Sequence, residues 1–187
     1  SRECDQMKIK PDDQWQWYYD DTHERIMLDL ANGMVFRSHF APRLLAPYAR
    51  CHSPFSVDDA ALFFIFEEQI KKFDIPAQQC AELTLNALIA SRFLKPQMPK
   101  SWYFSLFCAM TKPEQGQLVE VVADNNRQRS NFIVAEAGDS ASLCLLVDPV
   151  LELHDRSMCF CDPIKIMNDR LLPRTPVTRS LLMGRAV

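Results

Sequence analysis

Glycine is scarce in this chain, which has four glycines in 187 residues against an average near ~7% in proteins. A loop that cradles a phosphate needs several glycines close together, because the backbone amides must approach the phosphate without side chains in the way. Four glycines in the whole chain leave almost nothing from which to build such a loop. We expect no cofactor.

Long apolar runs are also missing. The longest runs, such as residues 60–66, are far shorter than the ~20 residues that a membrane-spanning helix requires. The N-terminus lacks the basic, apolar and small-residue regions of a signal peptide, and residues 1–6 resemble an expression remnant ahead of Met7. The sequence predicts a cytoplasmic protein without membrane insertion.

Cysteine is present, but its number and spacing do not indicate a disulfide framework. Seven cysteines are an odd number, and Cys80 falls within a predicted apolar helix. This usage is typical of reduced thiols that pack as small hydrophobic side chains. Cys159 and Cys161 with His154 form the best metal-ligand pattern, but structural zinc sites use wider cysteine spacing and two such pairs. We therefore predict no metal site.

Charge is distributed unevenly, although the net charge is only −3. Residues 1–32 contain eight acidic and four basic residues, whereas residues 165–187 contain five basic residues and one acidic residue. The overall charge does not favour nucleic-acid binding, so we expect no nucleic-acid partner. A nucleic-acid binder using the basic C-terminal segment is a rival that steep salt dependence would reveal.

The first half of the chain predicts an α/β domain over 7–98. Apolar residues alternate around 15–19 and again at 26–30, and Asn32-Gly33 favours a type I′ turn before a third strand. Ser56 is a good N-cap for a helix from Val57 to about Phe73, whose apolar residues surround most of its circumference and predict burial. Pro76 begins a second helix that ends at Leu94, because Pro96 and Pro99 cannot continue it.

The second half predicts a small β-barrel-like domain over 99–170. Short strands alternate with turns about every 8–12 residues, and they are predicted at 102–107, 118–122, 131–135, 143–147, 150–153, 158–161 and 164–167. Residues 171–187 contain two prolines without a sustained period and are predicted to be a poorly ordered tail. The fold class is therefore α+β.

Gly138-Asp139-Ser140 is the strongest catalytic pattern, because it follows a strand-like run and resembles the nucleophile turn of GDS-type esterases. Those enzymes also need a downstream Asp-x-x-His, but His154 has Leu151 three residues before it. A hairpin turn is the preferred interpretation, so no catalytic residue is predicted. A hydrolase using Ser140 remains a rival class, and the test is Ser140→Ala.

Cations surround apolar residues near both ends of the predicted C-terminal domain. First and last strands of barrels often lie side by side, which would bring these segments into one patch. Such a patch suits an extended peptide with apolar anchors and some acidic character, although cations that solvate a barrel rim would have the same pattern. Its residues are Lys95, Met98, Lys100, Trp102, Ile164, Lys165, Ile166, Met167 and Arg170.

Several stretches together resemble the ZapC family of gammaproteobacterial cell-division proteins. The resemblance extends over about 7–171 and is strongest in the first hundred residues. It rests on MKIKPDD (7–13) with WQWYYD (15–20), IMLDLANGMVFRS (26–38), VDDAALFFIFEE (57–68), LNALIASRFLKPQMPKSW (85–102) and PIKIMNDRL (163–171).

This resemblance implies a non-enzymatic cytoplasmic factor at the mid-cell division ring. Such proteins bind protofilaments of FtsZ, the tubulin-like GTPase of the ring, promote their bundling and slow GTP turnover. By matching motif, Leu28 belongs to an N-terminal region important for bundling, and Lys95, Lys100 and Arg170 belong to a basic pocket.

Three further expectations concern the oligomeric state, the C-terminus and an alternative function. We expect a monomer, in which an acidic N-terminal domain and a basic-rimmed C-terminal domain provide two contact surfaces. The apolar C-terminus could be recognised by a cytoplasmic AAA+ protease. A peptide-binding adaptor unrelated to FtsZ is the alternative function.

Overall fold

The computed structural model describes residues 9–107 and 112–175. Its N-terminal part contains a four-stranded antiparallel sheet in the order β3-β2-β1-β4. Trp15 and Trp17 turn inward, as the alternation predicts. The bounds are Gln16–Asp20 (β1), Arg25–Asp29 (β2), Val35–Arg37 (β3) and Ser53–Pro54 (β4). No helix in this described part of the chain is long and apolar enough to cross a membrane.

The turn between β2 and β3 forms at the predicted dipeptide. Asn32 and Gly33 have φ values of 55° and 76°, and the Met34 amide donates to the Ala31 carbonyl oxygen at 3.1 Å. Positive φ at both central positions is what a type I′ turn requires. The hairpin sets the register in which Leu28 faces Phe36.

Two helices follow, Val57–Ile70 (α1) and Ala77–Phe93 (α2). Ser56 caps α1 through a capping box with Asp59, so the predicted start is confirmed. The predicted burial of α1 is only partly correct, because Phe64 is 48% exposed while Phe63 and Phe66 are buried. The central helix is instead α2, whose residues 83–90 are all buried.

The C-terminal part is built on a five-stranded antiparallel sheet in the order β10-β7-β6-β5-β11, with a separate β8-β9 hairpin. The α+β class is therefore confirmed. The sheet is not closed into a barrel among the described residues, because β10 and β11 are its two edges. The bounds are Leu118–Val122 (β5), Arg129–Glu136 (β6), Ala141–Leu146 (β7), Val150–Glu152 (β8), Ser157–Cys159 (β9), Pro163–Met167 (β10) and Leu172–Pro173 (β11).

An irregular segment takes the place of the strand predicted at 102–107. Ser101–Tyr103 form a single 3₁₀ turn. The Lys100 amide donates to the Lys165 carbonyl oxygen on β10, and the Ser105 amide donates to the Val122 carbonyl oxygen on β5, both at 2.9 Å. Isolated bonds of this kind connect two distant strands of the sheet without forming the ladder that closes a barrel.

One hydrophobic core joins both parts of the chain. Residues on one face of the C-terminal sheet, including Leu118, Ile133 and Leu145, pack in the same cluster as Leu85 and Phe93 of α2. The opposite face forms a second cluster with Phe104 and Ile164. Burial on both faces explains the continuous apolar runs at 132–135 in β6 and 143–146 in β7. The domain boundary at 98/99 stays a prediction.

The first residues of the predicted poorly ordered tail are in fact part of the fold. Leu171 is buried, and Leu172–Pro173 pair with β5 as strand β11. The remainder of that tail, residues 176–187, lies outside the described residues, as does the predicted protease-recognition segment within it. The suggested expression remnant at 1–6 also lies outside them.

Candidate functional site

A cleft of about 360 Å³ opens where the end of α2, the segment after it and the β6–β7 hairpin meet. It contains two of the predicted cations, Lys95 and Lys165. It is lined by Tyr48, Ser91, Leu94, Lys95, Pro96, Gln97, Glu136, Ala137, Gly138, Ala141, Leu143 and Lys165. Elements from both parts of the chain therefore build this basic cleft.

Lys95 is positioned by the way α2 ends. Leu94 is already extended, with ψ of 139°, because a residue close before Pro96 is poorly accommodated in a helix. The Lys95 amide donates to the Leu44 carbonyl oxygen at 2.9 Å, and the Ala46 amide donates to the Phe93 carbonyl oxygen at 2.8 Å. These bonds fix the backbone at Lys95 while its side chain is exposed.

Lys165 is positioned by the alternation of β10. Ile164 and Ile166 point into the second hydrophobic cluster, so Lys165 and Met167 lie on the opposite face of the strand, where both are half-buried. The predicted inclusion of Ile164 and Ile166 in the surface patch is therefore wrong, because neighbouring residues of a strand face opposite sides. Lys100 joins Lys165 through the backbone bond described above, which places the two lysines on adjacent segments.

The β6–β7 hairpin forms another wall of the cleft, and the sequence did not predict its contribution. A Cβ atom at Gly138 would lie 2.2 Å from the Ala141 carbonyl oxygen, so only glycine fits there. Asn168 donates from Nδ2 to the Gly138 carbonyl oxygen at 2.9 Å and accepts from Ser142 Oγ at 2.7 Å. The buried Asn168 thereby fixes the hairpin to the end of β10.

Ser140 occupies the hairpin turn that the sequence favoured. It is exposed, and its carbonyl oxygen accepts a bond from the Asn168 amide at 2.8 Å. Within residues 9–107 and 112–175, its hydroxyl makes no hydrogen bond to a histidine. The geometry gives this serine no base of the kind that nucleophilic catalysis uses.

The basic cleft provides hydrogen-bond donors that its own residues do not satisfy. Lys95, Lys100 and Lys165 form no ion pair within the described ranges, whereas Glu136 is the acidic residue in the lining. Gln97 Nε2 is inaccessible to solvent and has no hydrogen-bond partner among those residues. Two ammonium groups beside apolar side chains suit a carboxylate-bearing peptide.

Arg170 differs from the three lysines. Its guanidinium Nη1 donates to Asp169 Oδ1 at 2.5 Å, and its side chain is mostly buried. The Asp169 carbonyl oxygen accepts a bond from Phe107 at 2.8 Å, which places this pair beside the far end of the irregular segment. The structure therefore places Arg170 in a paired setting rather than in the lining of the basic cleft.

Met98 and Trp102 are exposed, at 81% and 65% respectively. Trp102 lines a second, smaller cavity of about 150 Å³ with Tyr103, Asp124, Asn125 and His154. The Tyr103 hydroxyl donates to Asp155 Oδ1 at 2.6 Å, and this bond raises the pKa of Tyr103. Of the predicted patch, Lys95 and Lys165 therefore line the basic cleft, and Trp102 lines a separate cavity.

The cysteines agree only in part with the prediction of buried free thiols, because Cys144 and Cys161 are buried whereas Cys51 and Cys159 are exposed. All five in the described part of the chain are free thiols, and burial raises the pKa of Cys144 and Cys161, which makes them poor nucleophiles. Cys161 lies in the core while Cys159 is exposed, so this pair does not present two sulfur atoms to one ion.

Comparison with known proteins gives consistent matches along the chain. Family models described as "Cell-division protein ZapC, N-terminal" and "Cell-division protein ZapC, C-terminal" match residues 8–95 and 96–177. The chain belongs to the ZapC family of cell-division proteins. The resemblance stated from its motifs is thereby confirmed.

Named relatives cover nearly the whole chain. The ZapC of Xenorhabdus bovienii is 58% identical over 97% of this chain and 100% of its own length. The ZapC of Proteus mirabilis is 55% identical over 88% of this chain and 90% of its own length. The ZapC of Aliivibrio salmonicida is 40% identical over 92% of this chain and 96% of its own length.

Leu28, which the ZapC resemblance implied for bundling, lies in the core. It is 0% exposed and pairs across the sheet with Trp17 and Phe36. A fully buried side chain cannot touch a partner while the fold is intact. Leu28 therefore contributes to the packing of the N-terminal part and not to a contact surface.

Proposed function

We propose that this chain is a non-enzymatic division factor that binds FtsZ protofilaments at the mid-cell ring, promotes their bundling and slows their GTP turnover. Membership of a cell-division family supports this function, and the basic cleft is the observation that carries it. A cleft that places lysines without ion pairs among the described residues beside apolar side chains has the character of a peptide-binding site. FtsZ is the partner that the ZapC resemblance implies.

The proposed binding surface is centred on Lys95, Lys100 and Lys165. Met98 lies between the first two in sequence and offers a flexible apolar contact, which suits an adaptable binding surface. Trp102 adds a large exposed aromatic side chain at the smaller cavity, and aromatic residues often contribute most to binding. Arg170 supports the end of this surface through its pair with Asp169. The contact would bury apolar anchors between cations.

Bundling requires a second surface, and the β1–β2 turn is our candidate. It carries Asp20, Asp21 and Glu24, the last two fully exposed. His23 Nδ1 lies 2.5 Å from Asp20 Oδ2, and this contact lowers the pKa of Asp20, so the aspartate stays charged. The shared core holds this acidic turn and the basic cleft in one molecule, so a monomer presents both.

Changing the acidic turn should separate bundling from binding. In the presence of FtsZ and GTP, wild type is expected to raise right-angle light scattering well above FtsZ alone and to lower phosphate release. The double variant Asp21→Lys, Glu24→Lys should still pellet with FtsZ. It should lose most of the added scattering, because the charge of the second surface changes from negative to positive.

The matched control is Glu68→Lys with Asp74→Lys, two exposed acidic residues near the end of α1. This control makes the same change in net charge and should scatter like wild type. If adding the wild-type chain to FtsZ and GTP does not raise the light scattering, the proposal of bundling is contradicted. Equal loss in both double variants would assign the effect to net charge and remove the β1–β2 turn from the proposal.

A further inference from the structure

A cluster of three potential metal ligands joins the two parts of the chain away from the basic cleft. His39 follows β3, while Cys159 and Asp162 lie at the turn between β9 and β10. One ligand atom from each residue lies within 4.8 Å of the others. An imidazole, a thiol and a carboxylate therefore converge from segments more than a hundred residues apart.

The individual contacts show how the cluster is arranged. His39 Nε2 lies 2.6 Å from Asp162 Oδ1, and Cys159 Sγ lies 3.4 Å from Asp162 Oδ2. Zinc binds sulfur, nitrogen and oxygen at about 2.0–2.3 Å, so neighbouring ligand atoms of a tetrahedral site are about 3.5 Å apart. Small side-chain rotations bring the three atoms to this separation, so that the ion takes the place of the His39–Asp162 hydrogen bond and the thiol proton of Cys159 is released to solvent.

Each side of the cluster is held in place by backbone hydrogen bonds, one of which uses the carboxylate of Asp162 itself. The His39 amide donates to Oδ1 of the buried Asn86 at 3.0 Å. On the other side, the Leu146 amide donates to the Asp162 carbonyl oxygen at 3.1 Å, and the Cys159 amide donates to Asp162 Oδ2 at 2.8 Å. These anchors preorganise the ligands, as a metal site requires.

We propose that His39, Cys159 and Asp162 form a Zn²⁺ site that links the N-terminal part of the chain to the β9–β10 turn. The mixed sulfur, nitrogen and oxygen donors suit zinc, whereas Mg²⁺ and Ca²⁺ prefer oxygen ligands alone. Cys159 is exposed and the other two are half-buried, so an ion can enter from solvent. Three protein ligands leave the fourth position to water.

Binding would stabilise the contact between the two parts because the cluster is assembled only in the folded chain. The sequence pattern could not reveal it. The spacing suggested His154 and Cys161 as ligands, whereas the fold buries Cys161 against Asn86 and brings in His39 from the N-terminal part.

The test uses the full chain, reduced and freed of metal by a chelator that is then removed. Titration with Zn²⁺ alone in a calorimeter should show one strong site. At a zinc concentration about 100 times Kd, the Tm should rise by roughly 5 °C or more. Titration with Co²⁺ should produce a thiolate-to-cobalt charge-transfer band in the near ultraviolet.

Cys159→Ser should weaken Zn²⁺ binding at least tenfold and abolish the charge-transfer band, since a hydroxyl is a poor zinc ligand. His39→Gln should also weaken binding at least tenfold, because it removes the ligand from the N-terminal part. Cys51→Ser, which changes another exposed thiol, should bind like wild type. Absence of zinc binding by wild type would overturn the proposal, as would wild-type affinity in Cys159→Ser or loss of binding in Cys51→Ser.

Discussion

Replacing Lys95 and Lys165 together by aspartate is expected to reduce binding to FtsZ polymers at least tenfold, or by about 1.4 kcal/mol in binding free energy. Both lysines line the basic cleft, and neither forms an ion pair in the described part of the chain. Their reversal places like charges opposite an acidic partner and leaves its carboxylates without donors. The measurement is the fraction of the chain that pellets with GTP-assembled FtsZ over a concentration series.

The double substitution should leave the fold intact, because the Lys95 side chain is exposed and Lys165 is a half-buried residue of an edge strand at the cleft. Lys71→Asp with Lys72→Asp makes the same charge change at the exposed end of α1 and should pellet like wild type. Arg170→Asp is a less selective probe, because it would place two carboxylates side by side and remove a mostly buried group. Unchanged pelleting of the cleft variant would remove this cleft from the binding surface.

Asp59→Ala should destabilise the fold by about 3 kcal/mol, within the range measured when one partner of a buried ion pair is removed. Asp59 is fully buried and holds three elements together. Its carboxylate accepts bonds from Trp17 Nε1 on β1 at 2.9 Å, from Arg92 on α2, and from the Ser56 amide at 2.9 Å. Alanine would leave these donors unsatisfied and remove half of the capping box of α1.

Urea unfolding followed by circular dichroism measures this difference. Asp58→Ala is the matched control, because Asp58 is an exposed carboxylate in the same first turn of α1, and an acid at that position contributes only about 0.3–1 kcal/mol. A midpoint for Asp59→Ala within error of that for Asp58→Ala would show that the buried network contributes little.

Features set by neighbouring residues could be predicted from the sequence. The Ser56 cap, the Asn32-Gly33 turn and the end of α2 before Pro96 each depend on local backbone chemistry. The hairpin at Gly138-Asp139-Ser140 was predicted for the same reason. The grouping of Lys95, Lys100, Lys165 and Arg170 rested instead on barrel closure; the sheet is open among the described residues, and the backbone bond from Lys100 to Lys165 is what brings those two lysines together.

Features set by long-range packing could not be predicted. The apolar circumference of α1 suggested full burial, yet the helix packs on one side only and leaves Phe64 and Ile65 exposed. Residues 102–107 have strand-like composition, but they cross between β10 and β5 instead of pairing along either. Leu28 has the appearance of any strand residue, and its depth in the core depends on what covers the sheet. Periodicity carries no information about such tertiary neighbours.

Co-sedimentation of the wild-type chain with purified FtsZ, in GTP and in GDP, tests the central claim most directly. Full-length FtsZ and FtsZ lacking its C-terminal tail, assembled in parallel, show which segment is bound. The proposed function predicts that the chain pellets with full-length FtsZ in GTP and stays in the supernatant in GDP or without FtsZ. A chain that remains in the supernatant with GTP-assembled full-length FtsZ would contradict it.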